Sequence, residues 1–378
     1  MAASNLVAES EPEYNKDREE QIEGLDDRKD EPFDLGDYPI DSILIRKDVN
    51  TVETIVKRIK KGRFILDPDF QRDYLWSPLK ASRLIESLIL RIPIPVFYLA
   101  EQKDGKIIVV DGLQRLFSFK SFYNNEFRLT GLNNKQLEGK YFDDLPVLYQ
   151  ERINDTNLIL YILDPKAPER IRLDIFDRVN SGVPLTRQQM RNSLYCGQAT
   201  RWLKSMAHHK IFQEVTTGSL NQKTMRDREF INRFCGFYIL GYKEYESRAK
   251  GDMDEFLAQA LIKMNGKSVN LNHLEEIFLQ SMKNNIKIFG RYAFRKHQDT
   301  TGKRSVINAS LFDVFSVLFA KISPEIIKSE KKQIQQIFFA LLNEEYFNNA
   351  ITFGTNGRQQ VLCRFEIAFK AYKEFIDD

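Results

Sequence analysis

Hydrophobic positions follow two rhythms along the chain. In the first half, short apolar runs alternate with helical spacings. Ile40, Ile43 and Ile45 suggest a short strand. Val52, Ile55, Val56 and Ile59 then repeat at helical spacing behind Thr51, a residue suited to capping a helix, and Gly62 stops the segment. Ser77 followed by Pro78 predicts the start of a second helix, with Ala81, Leu84, Ile85, Leu88 and Ile89 on one face. The Ile92-Pro93-Ile94-Pro95 stretch ends it and leads into a strand over 96–99. A turn at 103–106 then folds back into the β-branched run 107–110, which predicts a hairpin. Leu116, Phe117, Phe119 and Tyr123 continue at helical spacing, and residues 158–163 predict another strand. Pro168 opens a helix through Leu173, Ile175 and Phe176, and Thr186 caps the next one. Beyond Tyr195 only the helical rhythm remains, as in Phe230-Phe234-Phe237, Phe312-Phe315-Phe319 and Phe365-Phe369-Tyr372. The expected architecture is α+β, with an N-terminal mixed domain over 38–195 and a mostly helical domain over 196–378.

Charge adds a third region. The 378 residues carry 56 Lys and Arg against 53 Asp and Glu, a net +3. Residues 1–37 hold 13 of the acids and only 4 bases, a net −9, so the rest of the chain carries +12. So acidic a stretch, with few apolar groups, is expected to be a disordered tail, either simply solvated or competing with nucleic acid for a basic face. Three cysteines without paired spacing argue against a disulfide framework or a zinc site, and point to a reducing, cytoplasmic setting. No apolar run approaches a membrane span, so no membrane partner is expected.

The candidate chemistry sits where the hairpin turns into a helix, at Asp111-Gly112-Leu113-Gln114-Arg115. A strand-to-helix corner presents free backbone N–H groups and the positive end of a helix dipole, which suits an anion or phosphate. Arg115 adds a fork able to grip two oxygens. The same residues also fit a plain structural turn in which Arg115 is solvated or braces Asp111 or a carbonyl. A second Gln-Arg pair, Gln71-Arg72, follows another extended segment, and two such corners in one small unit can converge on one pocket.

These residues carry a resemblance. Phe70-Gln71-Arg72, Trp76-Ser77, Ile85-Glu86-Ser87-Leu88, Pro93-Ile94-Pro95 and Asp111-Gly112-Leu113-Gln114-Arg115 occur in the order found in the N-terminal domain of GmrSD-type modification-dependent (type IV) restriction enzymes, a fold similar to ParB and sulfiredoxin. Phe176-Asp177-Arg178-Val179-Asn180-Ser181-Gly182 resembles that family's Phe-x-Arg-Leu-Asn-x-Gly segment. The resemblance implies a nucleoside triphosphatase in antiphage defence. Asp111, Gln114 and Arg115 would act in catalysis. Gln71, Arg72, Gly112 and Asn180 would bind nucleotide or phosphate, and Mg²⁺ would accompany the triphosphate, with Asp111 as its ligand.

Two departures qualify it. Leu113 stands where the family motif has its first glutamine. In addition, none of the four histidines has the context of an HNH nuclease, so no such domain is expected here. Two alternatives follow: a non-enzymatic DNA-binding sensor that has lost turnover, and a stand-alone ParB-like nuclease. Possible partners are nucleotide, DNA and a separately encoded nuclease or effector. Basic clusters at Lys223-Arg226-Arg228, Arg291-Arg295-Lys296 and Lys303-Arg304 are candidates for contact with a phosphate backbone.

Overall fold

The structure is a computed structural model. It describes residues 22–24, 45–66, 76–102, 104–167, 169–179, 185–247, 249, 251–297 and 304–376. The chain is α+β, as its periodicities predict. Strand β1 (Ile45–Thr51) runs into helix α1 (Val52–Lys60), followed by the short strand β2 (Phe64–Ile65). Helix α2 (Pro78–Ile89) precedes the hairpin β3 (Phe97–Glu101) and β4 (Ile107–Asp111). Then come α3 (Leu113–Tyr123), α4 (Val147–Asn154), β5 (Asn157–Leu163), α5 (Glu169–Val179) and α6 (Arg187–Leu194). The five strands form one sheet in the order β1-β5-β3-β4-β2. Strand β3 lies antiparallel to β4 and parallel to β5, so the predicted hairpin is the centre of the sheet.

Local signals explain these elements. The Thr51 hydroxyl accepts the Thr54 N–H at 3.3 Å and caps α1, while Val52, Ile55, Val56 and Ile59 are buried. β-Branched residues disfavour a helix by less than about 0.7 kcal/mol each, whereas burying such a side chain contributes about 1.5–3 kcal/mol, so packing decides. Ser77 caps α2 and Pro78 takes its first position. Thr186 and Gln189 form a reciprocal capping box on α6.

Both faces of the sheet are covered. Phe97, Leu99, Val109, Leu158, Leu160 and Ile162 pack on one side with residues of α1, α2 and α3. Ala100, Ile108, Val110 and Leu163 face the other way, against Leu173 and Phe176 of α5 and Met190 and Leu194 of α6. That second layer continues without a break into the core of the helical region, through Trp202, Phe230, Phe278, Phe312, Phe365 and other side chains. The aromatics at these helical spacings are therefore core, whereas Tyr346 and Phe353 are exposed.

Charge is buried there as well. Arg233 and Arg364 are fully buried on the same Asp313 carboxylate. Arg233 forms a two-point fork, Nε to Oδ1 at 2.8 Å and Nη2 to Oδ2 at 2.7 Å, and Arg364 Nη2 reaches Oδ2 at 2.9 Å. The polar loop before the last helix completes the cluster. Asn356 Oδ1 accepts from Arg233 at 3.1 Å, and Arg364 donates to the Thr355 carbonyl. Burial acts to lower the Arg233 pKa, but Asp313 and Glu229 outweigh it and hold the value above normal. A second set of ion pairs ties the two halves together: Arg187 to Asp254 at 3.9 Å, Arg191 to Asp254, and Arg191 to Glu229 at 3.8 Å.

Candidate functional site

The β4–α3 corner is built around Gly112. Its φ of 97° lies in the left-handed region that glycine tolerates. Space makes the same demand, because an added Cβ would come within 2.3 Å of Phe97 Cδ1. Gly112 is also the N-cap of α3 and, as glycine, brings no side-chain acceptor to the first N–H groups of the helix. Asp111, the last residue of β4, pairs in register with Tyr98 of β3.

Arg115 turns inward from this corner. It is 8% exposed. Its Nη2 donates to Asp111 Oδ2 at 2.6 Å and to the Val96 carbonyl at 3.2 Å. Nη1 donates to the Pro95 carbonyl. The guanidinium carbon lies 4.3 Å from the centre of the Phe97 ring, a cation–π contact. Burial pulls the Arg115 pKa below its ordinary value while Asp111 opposes the shift, and the group stays charged at neutral pH. The fork thus ties the end of β4 and the start of α3 to the strand entry at Pro95 and Val96. This is the bracing arrangement that the sequence left open beside phosphate binding.

Gln114 faces a different neighbour. Its Oε1 accepts the Trp76 N–H at 3.1 Å, which fixes the residue four positions after Arg72 to this corner. Gln71, Arg72 and Asn180 themselves lie outside the described residues. Asp111 keeps 35% of its side chain exposed, with one oxygen on Arg115. Among the described residues no group of three or more His, Cys, Asp or Glu side chains is placed to hold a metal ion. A single carboxylate is nonetheless compatible with Mg²⁺ that arrives on a phosphate, because that ion keeps several waters and needs few protein ligands.

The basic clusters are largely occupied within the fold. Arg226 pairs with Glu229. Arg295 is buried and donates to the Ser305 and Thr216 carbonyls at 3.1 and 3.2 Å. Arg304 reaches Thr217 Oγ1 at 2.6 Å. Lys303 lies outside the described residues. Sequence reading found the clusters by their charge, but their inward use depends on loops brought together from distant parts of the chain.

A mixed sheet whose central hairpin ends in a strand–glycine–helix corner, backed by a helical body, defines an α+β protein with its candidate chemistry in the first half. Residues 52–196 match the family model described as the GmrSD restriction endonuclease, N-terminal domain. The match spans β4, the corner and α6 alike. The chain matches no curated protein. Among the described residues no helix is long and apolar enough to cross a membrane.

Proposed function

We propose that the protein is a nucleotide-binding component of a DNA restriction or antiphage defence system, with its nucleotide site at the β4–α3 corner. The observation that carries this reading is the coincidence of the family segment with a helix N-terminus that has no side-chain cap and stands beside a partly exposed carboxylate. Phosphate oxygens would meet the first backbone N–H groups of α3. Gln71, Arg72 and Asn180 would supply the direct polar contacts. Gln114 would hold the Gln71-Arg72 segment in place through Trp76, and Arg115 would set the position of Asp111. Mg²⁺ would come with the phosphates, taking Asp111 as its protein carboxylate and neutralising charge on the triphosphate. Turnover of the triphosphate belongs to the same proposal.

Leu113 favours a second reading, a DNA-binding sensor without turnover, because an apolar side chain stands where the family motif has an amide able to orient water. Phosphate release measured with each triphosphate separates the two. Release above background supports the hydrolase, while background release alongside salt-sensitive DNA binding supports the sensor.

The two arginines are expected to behave differently. Arg72→Ala should weaken nucleotide binding by roughly ten- to a hundredfold, the scale of a lost charged hydrogen bond, with little change in melting temperature. Arg115→Ala should destabilise the nucleotide-free protein by about 1.5–3 kcal/mol, because the Pro95 and Val96 carbonyls lose a charged donor. Arg115→Lys should restore little of it, since an ammonium lacks the planar fork. Calorimetric titration and thermal melts of the three variants check this. Unchanged nucleotide affinity in Arg72→Ala would remove it from the site.

A further inference from the structure

Residues 22–24 are a described part of the acidic N-terminal arm, and they are seated on the helical body. The Glu23 N–H donates to the Ile307 carbonyl at 3.0 Å, and the Ala309 N–H donates to the Glu23 carbonyl at 2.9 Å. Glu23 thereby forms a parallel bridge with Asn308. Its carboxylate lies 2.5 Å from Lys296 Nζ, which also reaches Thr352 Oγ1 at 2.6 Å. Thr355 Oγ1 donates to the Gly24 carbonyl at 2.7 Å, and Ile22 packs against the helical core. Gly24 has φ +81°, and a Cβ there would sit 3.4 Å from both Ser310 Oγ and Thr355 Cγ2.

The floor of this notch is fixed independently of the arm. Asn308 is fully buried, donates to the Ile351 carbonyl at 2.9 Å and accepts the Leu311 N–H at 2.9 Å. The notch offers a backbone acceptor, a backbone donor, an ammonium and a hydroxyl. That set is complementary to an extended segment with a carboxylate at its centre.

We propose that residues 22–24 are a detachable clip, and that the notch formed by Lys296, Thr352, Thr355 and residues 307–309 is a docking site for an extended acidic peptide, filled in cis by this chain's own arm. Glu19, Glu20, Asp26 and Asp27 are within four residues of Glu23, and each residue extends the chain by at most about 3.6 Å. Glu23 thus sets a carboxylate on Lys296, and the sequence on either side of it is acidic. A polyanion such as a DNA backbone would compete with the arm for Lys296, and salt weakens both interactions. The clip does not depend on the nucleotide site, so the two stand or fall separately.

The test uses the full chain. Hydrogen exchange should be slow at the amides of Glu23 and Ala309 in the wild type. It should become fast at both in Glu23→Lys and in Lys296→Glu, and slow again in the double exchange Glu23→Lys/Lys296→Glu. Gly24→Val, which strains the clip without changing charge, should tighten binding of a short DNA duplex several-fold at low salt, a gain that fades as salt rises. Fast exchange at both amides in the wild type, or a double exchange that restores nothing, overturns the docking site. Equal duplex affinity in wild type and Gly24→Val, or no duplex binding by either, overturns the screening.

Discussion

Asp313→Ala is expected to cost about 3–5 kcal/mol of unfolding free energy, the scale for breaking a buried ion pair by removing one partner. The carboxylate is fully buried and serves Arg233 and Arg364 at once. Its removal leaves two cations in the core with only the Asn356 and Thr355 oxygens as hydrogen-bond partners, and burial already pulls the Arg364 pKa below its ordinary value. Asp313→Asn should fall between, since an amide oxygen still accepts one hydrogen bond but carries no charge. Glu53→Ala provides the contrast. Its pair with Lys57 is largely exposed, and such pairs contribute about 0–1 kcal/mol. Urea unfolding of the three variants measures the order. A loss of under about 1 kcal/mol in Asp313→Ala would mean that water reaches the arginines.

Gly112→Ala should be the most damaging small change at the candidate site. A left-handed backbone costs an ordinary residue about 1–2 kcal/mol, and forcing an extra carbon into a packed core costs about 1–3 kcal/mol. Together they predict a loss of about 2–5 kcal/mol. Phe97 is not free to yield, because it is fully buried and has the Arg115 guanidinium over its ring. Adding Phe97→Leu to Gly112→Ala should recover part of the steric loss and none of the backbone loss. Denaturant unfolding of the single and double variants separates the contributions. A single variant as stable as the wild type would show that the corner shifts to accept a side chain.

Much of the first half was legible from sequence because its signals are local. Thr51, Ser77-Pro78 and Thr186 cap helices where spacing placed them, and the run 107–110 lies in the strand that precedes Gly112. Gly112 itself was found as the turn between strand and helix. The direction of Arg115 was not legible. Whether its fork points outward or back onto Pro95 and Val96 depends on where β3 lies, and that pairing is long-range. Arg233, Asp313 and Arg364 were invisible for the same reason, being scattered over 131 positions of helical sequence that read as ordinary amphipathic repeats. The seat of residues 22–24 was hidden too, because composition reports the average character of an arm and not a three-residue fit against loops nearly 300 positions away.

The shared second face of the sheet runs across the end of the segment that matches the family model. The family match ends at residue 196, but Leu173, Phe176, Met190 and Leu194 belong to a core cluster that continues beyond it. A fragment cut at that boundary would present a raw hydrophobic wall to water and invite self-association. The helical half is thus an outer layer of the matched segment. Among the described residues, the β4–α3 corner and the helical body are joined through side chains of one continuous core.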